Sequence, residues 1–178
     1  MSLDAATNSY HQTVSETVGA NGEQTTVNWL TPEELDSWLS VARLMTWLPW
    51  SIDQQLQHDS GLATVEYQVL ACLSQNPQRM MRMSSLAVVT NASLSRLSRV
   101  VKRLEDRGVV RREPDPADGR FTNAIITDSG VRTIEAAAPA HVAHVRSLVV
   151  DALSPEQLRR LGQAAERILS RINTTSGT

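Results

Sequence analysis

The chain has 178 residues and a mass of 19.6 kDa, enough for one domain or one compact domain with an extension, and its 41% apolar and 20% charged residues suit a soluble globular fold. The one cysteine, Cys72, excludes an intramolecular disulfide and any cysteine-clustered zinc or iron–sulfur site, and no apolar run approaches the ~18 residues of a membrane span. The net charge of −2 hides an uneven distribution: Arg79 to Arg120 hold ten Lys or Arg against five acids, a local excess of five positive charges between acidic ends. A basic middle is a footprint for a polyanion, and the competing reading is a solvated charged face.

Residues 1–28 are rich in Thr, Ser, Asn and Gln with little periodicity, so a disordered tail is expected there. They lack the basic-then-apolar order of a signal peptide, which points to a cytoplasmic setting. Thr31-Pro32-Glu33-Glu34 opens a helix, with Thr31 as cap, Pro32 in the first turn and Glu34 three residues past the cap. Leu35, Trp38, Leu39, Val41, Ala42, Leu44, Met45, Trp47 and Leu48 then make it apolar on more than one stripe. A helix of that kind needs cover on several sides, and a second subunit is the natural source in a small chain. Pro49 is expected to kink or interrupt it.

A second helix is predicted over Thr64–Ser74, ended by Asn76-Pro77, and a short one over Ser84–Thr90 with Ser84 as cap. The next runs from Ser93 to Arg107. Its Leu94, Leu97, Val101 and Leu104 are spaced three, four and three, one inward stripe, and Gly108 stops it. Val109–Glu113 and Phe121–Thr127 read as two strands around the turn cluster Pro114-Asp115-Pro116-Ala117-Asp118-Gly119-Arg120, a hairpin with a long tip. A long helix is predicted from Thr127-Asp128-Ser129-Gly130 to about Ala152, bent at Pro139. Ser154-Pro155-Glu156-Gln157 starts a last helix with the stripe Leu158, Leu161, Ala165, Ile168 and Ile172.

Helix, short helix, basic helix and hairpin in that order make a winged helix-turn-helix. The side of the basic helix opposite its apolar stripe offers Ser95, Arg96, Arg99 and Arg103, with Ser93 at the entrance and Ser98 beside the stripe. Arginine can fork onto guanine O6 and N7, and serine hydroxyls can reach bases or phosphates. Lys102 and Arg103 lie further along, where backbone or solvent is the expected partner. Arg120, on the projecting tip, suits an adjacent A·T-rich minor groove, and Asp118 is expected to pair with an arginine and hold the tip in shape.

The sequence resembles the multiple-antibiotic-resistance regulators of bacteria, the MarR family. The residues that carry the resemblance are Glu66-Tyr67-Gln68-Val69-Leu70, Leu86-Ala87, Ser93 to Glu105, Arg107-Gly108-Val109-Val110-Arg111-Arg112, Asp115 to Arg120 and Ile126-Thr127-Asp128-Ser129-Gly130. It spans about residues 31–172. It implies a mainly α fold with a small β-hairpin wing, and a homodimer of winged-helix lobes joined by N- and C-terminal helices. It also implies binding to an inverted-repeat operator in double-stranded DNA, a repressor's role, and release when a small ligand or oxidant binds. The family's wing pair of aspartate and arginine matches Asp118 and Arg120. The expected organisation is a tail over 1–28, a dimerisation helix over 29–60, a DNA-binding lobe over 61–127 and C-terminal dimerisation helices over 128–173. Two departures are Ala63, where many members have a capping Thr or Ser, and the longer tail before Thr31.

Peroxide-sensing members of the family use a cysteine near the start of the first helix. Cys72 instead sits in the apolar run Val69–Leu73, which reads as a structural thiol. His141 and His144 stand at a metal-compatible spacing but lack further ligands, so no metal and no cofactor is expected. Trp38, Trp47 and His141 are candidates for a pocket that takes a small aromatic effector, with core or dimer packing as the competing fate of the tryptophans. No Gly-rich phosphate loop, metal triad or Ser/His/Asp motif argues for an enzyme. The rival reading is a winged-helix protein-interaction module that does not bind DNA sequence-specifically.

Overall fold

The computed structural model describes residues 28–175; the tail expected over 1–28 lies, except for Asn28, outside the described residues. The chain divides into two compact units, residues 1–44 and 45–178. In chain order the elements are α1 (Pro32–Ser60), α2 (Thr64–Gln75), β1 (Met80–Arg82), α3 (Met83–Val89), α4 (Leu94–Asp106), β2 (Val110–Pro114), β3 (Thr122–Ile126), α5 (Asp128–Val145), a π-helical turn (Arg146–Val150) and α6 (Pro155–Thr175).

In the first unit α1 starts as its sequence predicts. Thr31 N–H donates to Glu34 Oε2 (2.8 Å) and Glu34 N–H to Thr31 Oγ1 (3.3 Å), a reciprocal capping box. Trp29, Leu30, Trp38, Val41 and Leu44 are exposed.

The second unit has its core where α2, α3, α4, the sheet and the start of α5 meet. Val69, Leu70 and Leu73 of α2 meet Leu86 of α3, Leu97, Val101 and Leu104 of α4, Val110 and Ala124 of the sheet, and Ile134 of α5. Leu56, from the C-terminal part of α1, is also fully buried. The sheet is antiparallel in the order β1-β3-β2, with Met81 opposite Ala124 and Arg112 opposite Ala124 on its other side. β1 is an element the sequence reading missed. It runs straight into α3, so that helix begins at Met83 behind Arg82 rather than at the expected cap Ser84.

Neither proline interrupts its helix. α1 continues through Pro49 and α5 through Pro139. Each removes one backbone donor, and the residues four positions earlier, Met45 and Glu135, are exposed, so water can serve the freed carbonyls. The long helix then passes into the π-helical turn 146–150.

The joint between hairpin and α5 explains Thr127-x-x-Gly130. Thr127 Oγ1 accepts from Gly130 N–H (3.1 Å) and donates to the Gly108 carbonyl (2.8 Å), so one hydroxyl caps α5 and ties it to the end of α4. At Gly130 a Cβ would overlap the Val109 carbonyl oxygen and come within 2.6 Å of Ile126 Cγ1. Gly108 has φ +71°, the left-handed turn that stops a helix.

Candidate nucleic-acid interface

α4 is built to show one face to solvent. Ser93 caps it, its Oγ accepting from Arg96 N–H (3.3 Å) and lying 3.2 Å from Ser95 Oγ. The buried stripe is Leu97, Val100, Val101 and Leu104. The expected stripe had Leu94 where the structure has Val100. Leu94 sits in the first turn, 55% exposed, where it lines the cleft shared with the wing. The opposite face carries Ser95, Arg96 and Arg99, all exposed, with Ser98 half-buried beside them. Among the described residues neither Arg96 nor Arg99 has an acidic partner.

The other cations of α4, and Arg107 at its C-terminal cap, are engaged. Arg103 Nε binds Glu66 Oε1 of α2 at 3.0 Å, and Arg107 Nη1 approaches Glu66 Oε2 at 3.5 Å. Glu66 is only 6% exposed and its Oε2 also accepts from Ala63 N–H (3.1 Å). Lys102 pairs with Asp106 one turn on. Arg103 is therefore turned back onto α2, where it fixes the orientation of α4, while its exposed flank remains open to solvent. A buried carboxylate needs such partners, since its desolvation is otherwise uncompensated.

The start of α2 answers the departure at Ala63. Alanine has no capping oxygen, and Asp53 of α1 takes over: its Oδ1 accepts from Thr64 N–H (2.8 Å) and Thr64 Oγ1 (2.9 Å). The Thr64 amide chiefly, and the Thr64 hydroxyl and Gln57 with it, hold the Asp53 carboxyl below its ordinary value against the opposing effect of burial. Sequence reasoning missed this residue, because the cap comes from eleven positions upstream.

The wing is closed by local bonds. Asp115 N–H donates to the Phe121 carbonyl (2.9 Å) and Phe121 N–H to the Asp118 carbonyl (3.0 Å). Asp118 does pair with an arginine. It accepts from Arg120 through Nε (2.9 Å), Nη2 (2.6 Å) and the backbone N–H (3.1 Å). Those bonds hold the Asp118 carboxyl below its usual range and push Arg120 up. The Arg120 side chain stays 85% exposed at the tip. The root of the wing is tied to α4 by Arg112, whose Nη2 and N–H donate to Glu105 Oε2 (2.7 Å) and Oε1 (3.1 Å). Between α4 and the wing lies a cleft of 240 Å³ lined by Arg82, Leu94, Ser98, Arg112, Arg120 and Phe121.

Trp38 is exposed in the first unit. Trp47 is exposed and packs edge-on against Trp50, ring centroids 5.6 Å apart. His141 is half-buried against the Tyr67 ring (4.4 Å), with Gln55 Oε1 3.4 Å from Nδ1; burial, and the neighbouring His144, lower its pKa. His144 has its own partner, Ser51 Oγ at 3.1 Å. Cys72 is half-buried against the core and burial pushes its thiol up, which disfavours the reactive thiolate.

A solvent-facing cationic helix, capped at its entrance and flanked by an arginine-tipped hairpin, defines a winged helix-turn-helix DNA-binding regulator. The family model described as "MarR family" matches residues 60–120. The fold superimposes on Sco3205, a MarR family transcriptional regulator of Streptomyces coelicolor solved in complex with DNA. Identity is 42%, coverage 81% of this chain and 94% of that one, and the TM-score 0.79. AbsC, a MarR family regulator of the same species, is 36% identical over 83% of this chain and 99% of its own, with a TM-score of 0.80. Among curated proteins, the HTH-type transcriptional regulator YkoM of Bacillus subtilis is 26% identical over 133 residues, 72% of this chain and 84% of its own. The chain belongs to the MarR family of transcriptional regulators.

Proposed function

We propose that the chain acts as a homodimeric, ligand-responsive repressor that reads an inverted-repeat operator in the cytoplasm, with no catalytic role. The observation that carries this reading is the pair Arg96 and Arg99: exposed, without acidic partners among the described residues, and on the same side of α4 as Ser95. Two unneutralised guanidinium groups beside the helix entrance suit bidentate contact with guanine. Ser93, Ser95 and Ser98 supply shorter donors to base or phosphate, Lys102 and the open flank of Arg103 reach backbone phosphate, and Arg120 with its Asp118 brace enters the flanking minor groove. Residues 61–127 form the reading lobe. Residues 29–60 and 128–173 supply dimerisation helices, a role supported by the exposed apolar residues of α1 and α6, Trp38 and Val41 in one and Ile168 and Leu169 in the other. Two lobes then meet successive major grooves about one turn apart.

A ligand releases such a protein only by favouring a conformation that does not hold DNA. A small aromatic compound is the effector class this reading names, and Trp38, Trp47 and His141 are tested one at a time by substitution.

Selection of bound duplexes from a random pool tests the proposal. Enrichment of an inverted repeat supports it. Retention of the pool without enrichment favours a lobe that meets another acidic surface, the interaction-module reading. Screening aromatic compounds against the enriched duplex then tests ligand control, and a regulator that no compound releases is not the proposed kind.

A further inference from the structure

The tip of the wing has a well-defined internal shape, and one residue outside it grips its neck. Within the tip, Asp118 and Arg120 close on each other two positions apart, and that pair says nothing about where the tip points. The neck is different. Asp115 is only 9% exposed and holds three things at once. Its backbone N–H reaches Phe121 on the returning leg (2.9 Å), its Oδ1 accepts from Ala117 N–H (2.9 Å), and its Oδ2 accepts from Arg82 Nε (2.8 Å). Arg82 belongs to neither leg of the hairpin. It ends β1, pairs across the sheet with Asn123 and immediately precedes α3. Its guanidinium also lies over the Phe121 ring, 4.7 Å from the centroid, so one side chain grips both legs of the wing, the carboxylate of one and the ring of the other.

The cleft gives this grip a consequence. Arg120 and Phe121 of the wing and Leu94 and Ser98 of α4 line it, with Arg82 and the start of α3 completing the wall. Its width is the separation between the reading helix and the tip, and a duplex must meet both at once. We propose that Arg82 is a positioning residue that sets the direction of the wing and thereby the contribution of Arg120 to DNA affinity. The inference rests on the reading of Arg120 as a DNA contact. The carboxyl of Asp115, held below its ordinary value by the Ala117 N–H first and Arg82 next, is charged throughout the neutral range, so the grip persists there. Loss of Arg82 leaves a nearly buried carboxylate without its cation and one face of Phe121 bare.

The test uses the full chain and two readouts. Phe121 is the chain's single phenylalanine, so fluorophenylalanine labelling gives one ¹⁹F resonance that reports the wing neck. Arg82→Ala should move that resonance toward the value of the unfolded chain, while far-ultraviolet circular dichroism shows the helices of the lobe still folded. Binding is measured on the inverted-repeat duplex enriched from a random pool, or on an A·T-rich 40-bp duplex if none is enriched, in a double-mutant cycle with Arg120→Ala. The expected loss from Arg82→Ala is about tenfold with Arg120 present and under about twofold without it, because contacting groups couple and independent ones add. Arg82→Lys keeps the charge without the planar fork, and should fall between the two; it replaces Arg82→Ala if that variant does not fold. Equal losses in both backgrounds mean that Arg82 touches DNA itself, and overturn the inference. So does an unmoved ¹⁹F resonance. If Arg120→Ala alone leaves binding intact, the reading of Arg120 fails, and the route assigned to Arg82 fails with it.

Discussion

The reading lobe and the last helix are stabilised in opposite ways. In the lobe, Val69, Leu70, Leu73, Leu97, Val101 and Leu104 are completely buried, and the buried carboxylate Glu66 has two arginines and an amide around it. In α6 the local signals are equally good: Ser154 N–H donates to Gln157 Oε1 (2.9 Å), Gln157 N–H to Ser154 Oγ (3.3 Å), and Glu156 pairs with Arg159 and Arg160. Yet Leu161, Ile168 and Leu169 stand exposed on it. Capping and charge pairs specify that α6 is a helix, whereas burial alone decides where a helix goes, and most helical stability in proteins comes from an apolar face that is covered. The lobe carries its own cover. The apolar stripe of α6 calls for a surface outside the described residues, which is the physical basis for proposing a second subunit there.

The largest expected effect breaks this contrast directly. Leu70→Ala should lower unfolding stability by about 2–5 kcal/mol in urea at any protein concentration, since it empties a filled core. Ile168→Asp should instead act through self-association, so its difference from wild type shrinks on dilution. A concentration-independent loss for Ile168→Asp would place α6 in the subunit's own core and erase the distinction. Next in size, Arg99→Ala should cost about 1–3 kcal/mol of binding to an enriched duplex and relax its base preference, measured by titration against single-base variants. Equal weakening on enriched and random duplexes would reassign it to phosphate.

A smaller effect probes how α1 is joined to the lobe. Asp53→Ala should cost about 1 kcal/mol of stability at neutral pH, the scale of a lost helix cap. The folded carboxyl is depressed below 3.8, so its contribution is complete above that value and disappears as pH falls through the lower folded value. Acid unfolding should therefore be shallower in the variant, and parallel acid limbs would contradict the assigned cap. Smallest is Lys102→Ala: its partner Asp106 is equally exposed, and an exposed pair one turn apart is worth under about 0.5 kcal/mol in thermal unfolding.

The order of elements and the exposed arginines of α4 were legible in the sequence because each rests on a local signal: Ser93 as cap, Gly108 as stop, the turn cluster at 114–120, the period of the apolar stripe. What sequence reasoning missed was settled by partners distant along the chain. Met80–Arg82 is a three-residue edge strand with no alternation to read, and only its pairing with β3 makes it one. Arg82, counted merely as part of a basic stretch, takes its place in the site through Asp115, 33 residues away. Asp53 caps a helix that its own segment precedes. Val100 replaces Leu94 in the stripe, since Leu94 in the first turn of α4 is exposed and Val100 is buried, a matter of packing and not of periodicity. At the prolines the local rule offered a kink or an interruption for Pro49, and the interruption does not occur, since α1 runs on through Pro49 as α5 does through Pro139.

The central claim, that α4 and the wing read a duplex sequence as a pair of lobes, is tested most directly by one competition measurement. The purified protein is titrated onto its enriched inverted repeat at physiological salt, against a scrambled duplex of the same composition. The account predicts at least about a thousandfold preference for the repeat, lost when one half-site is scrambled. Equal affinity for both duplexes would contradict it.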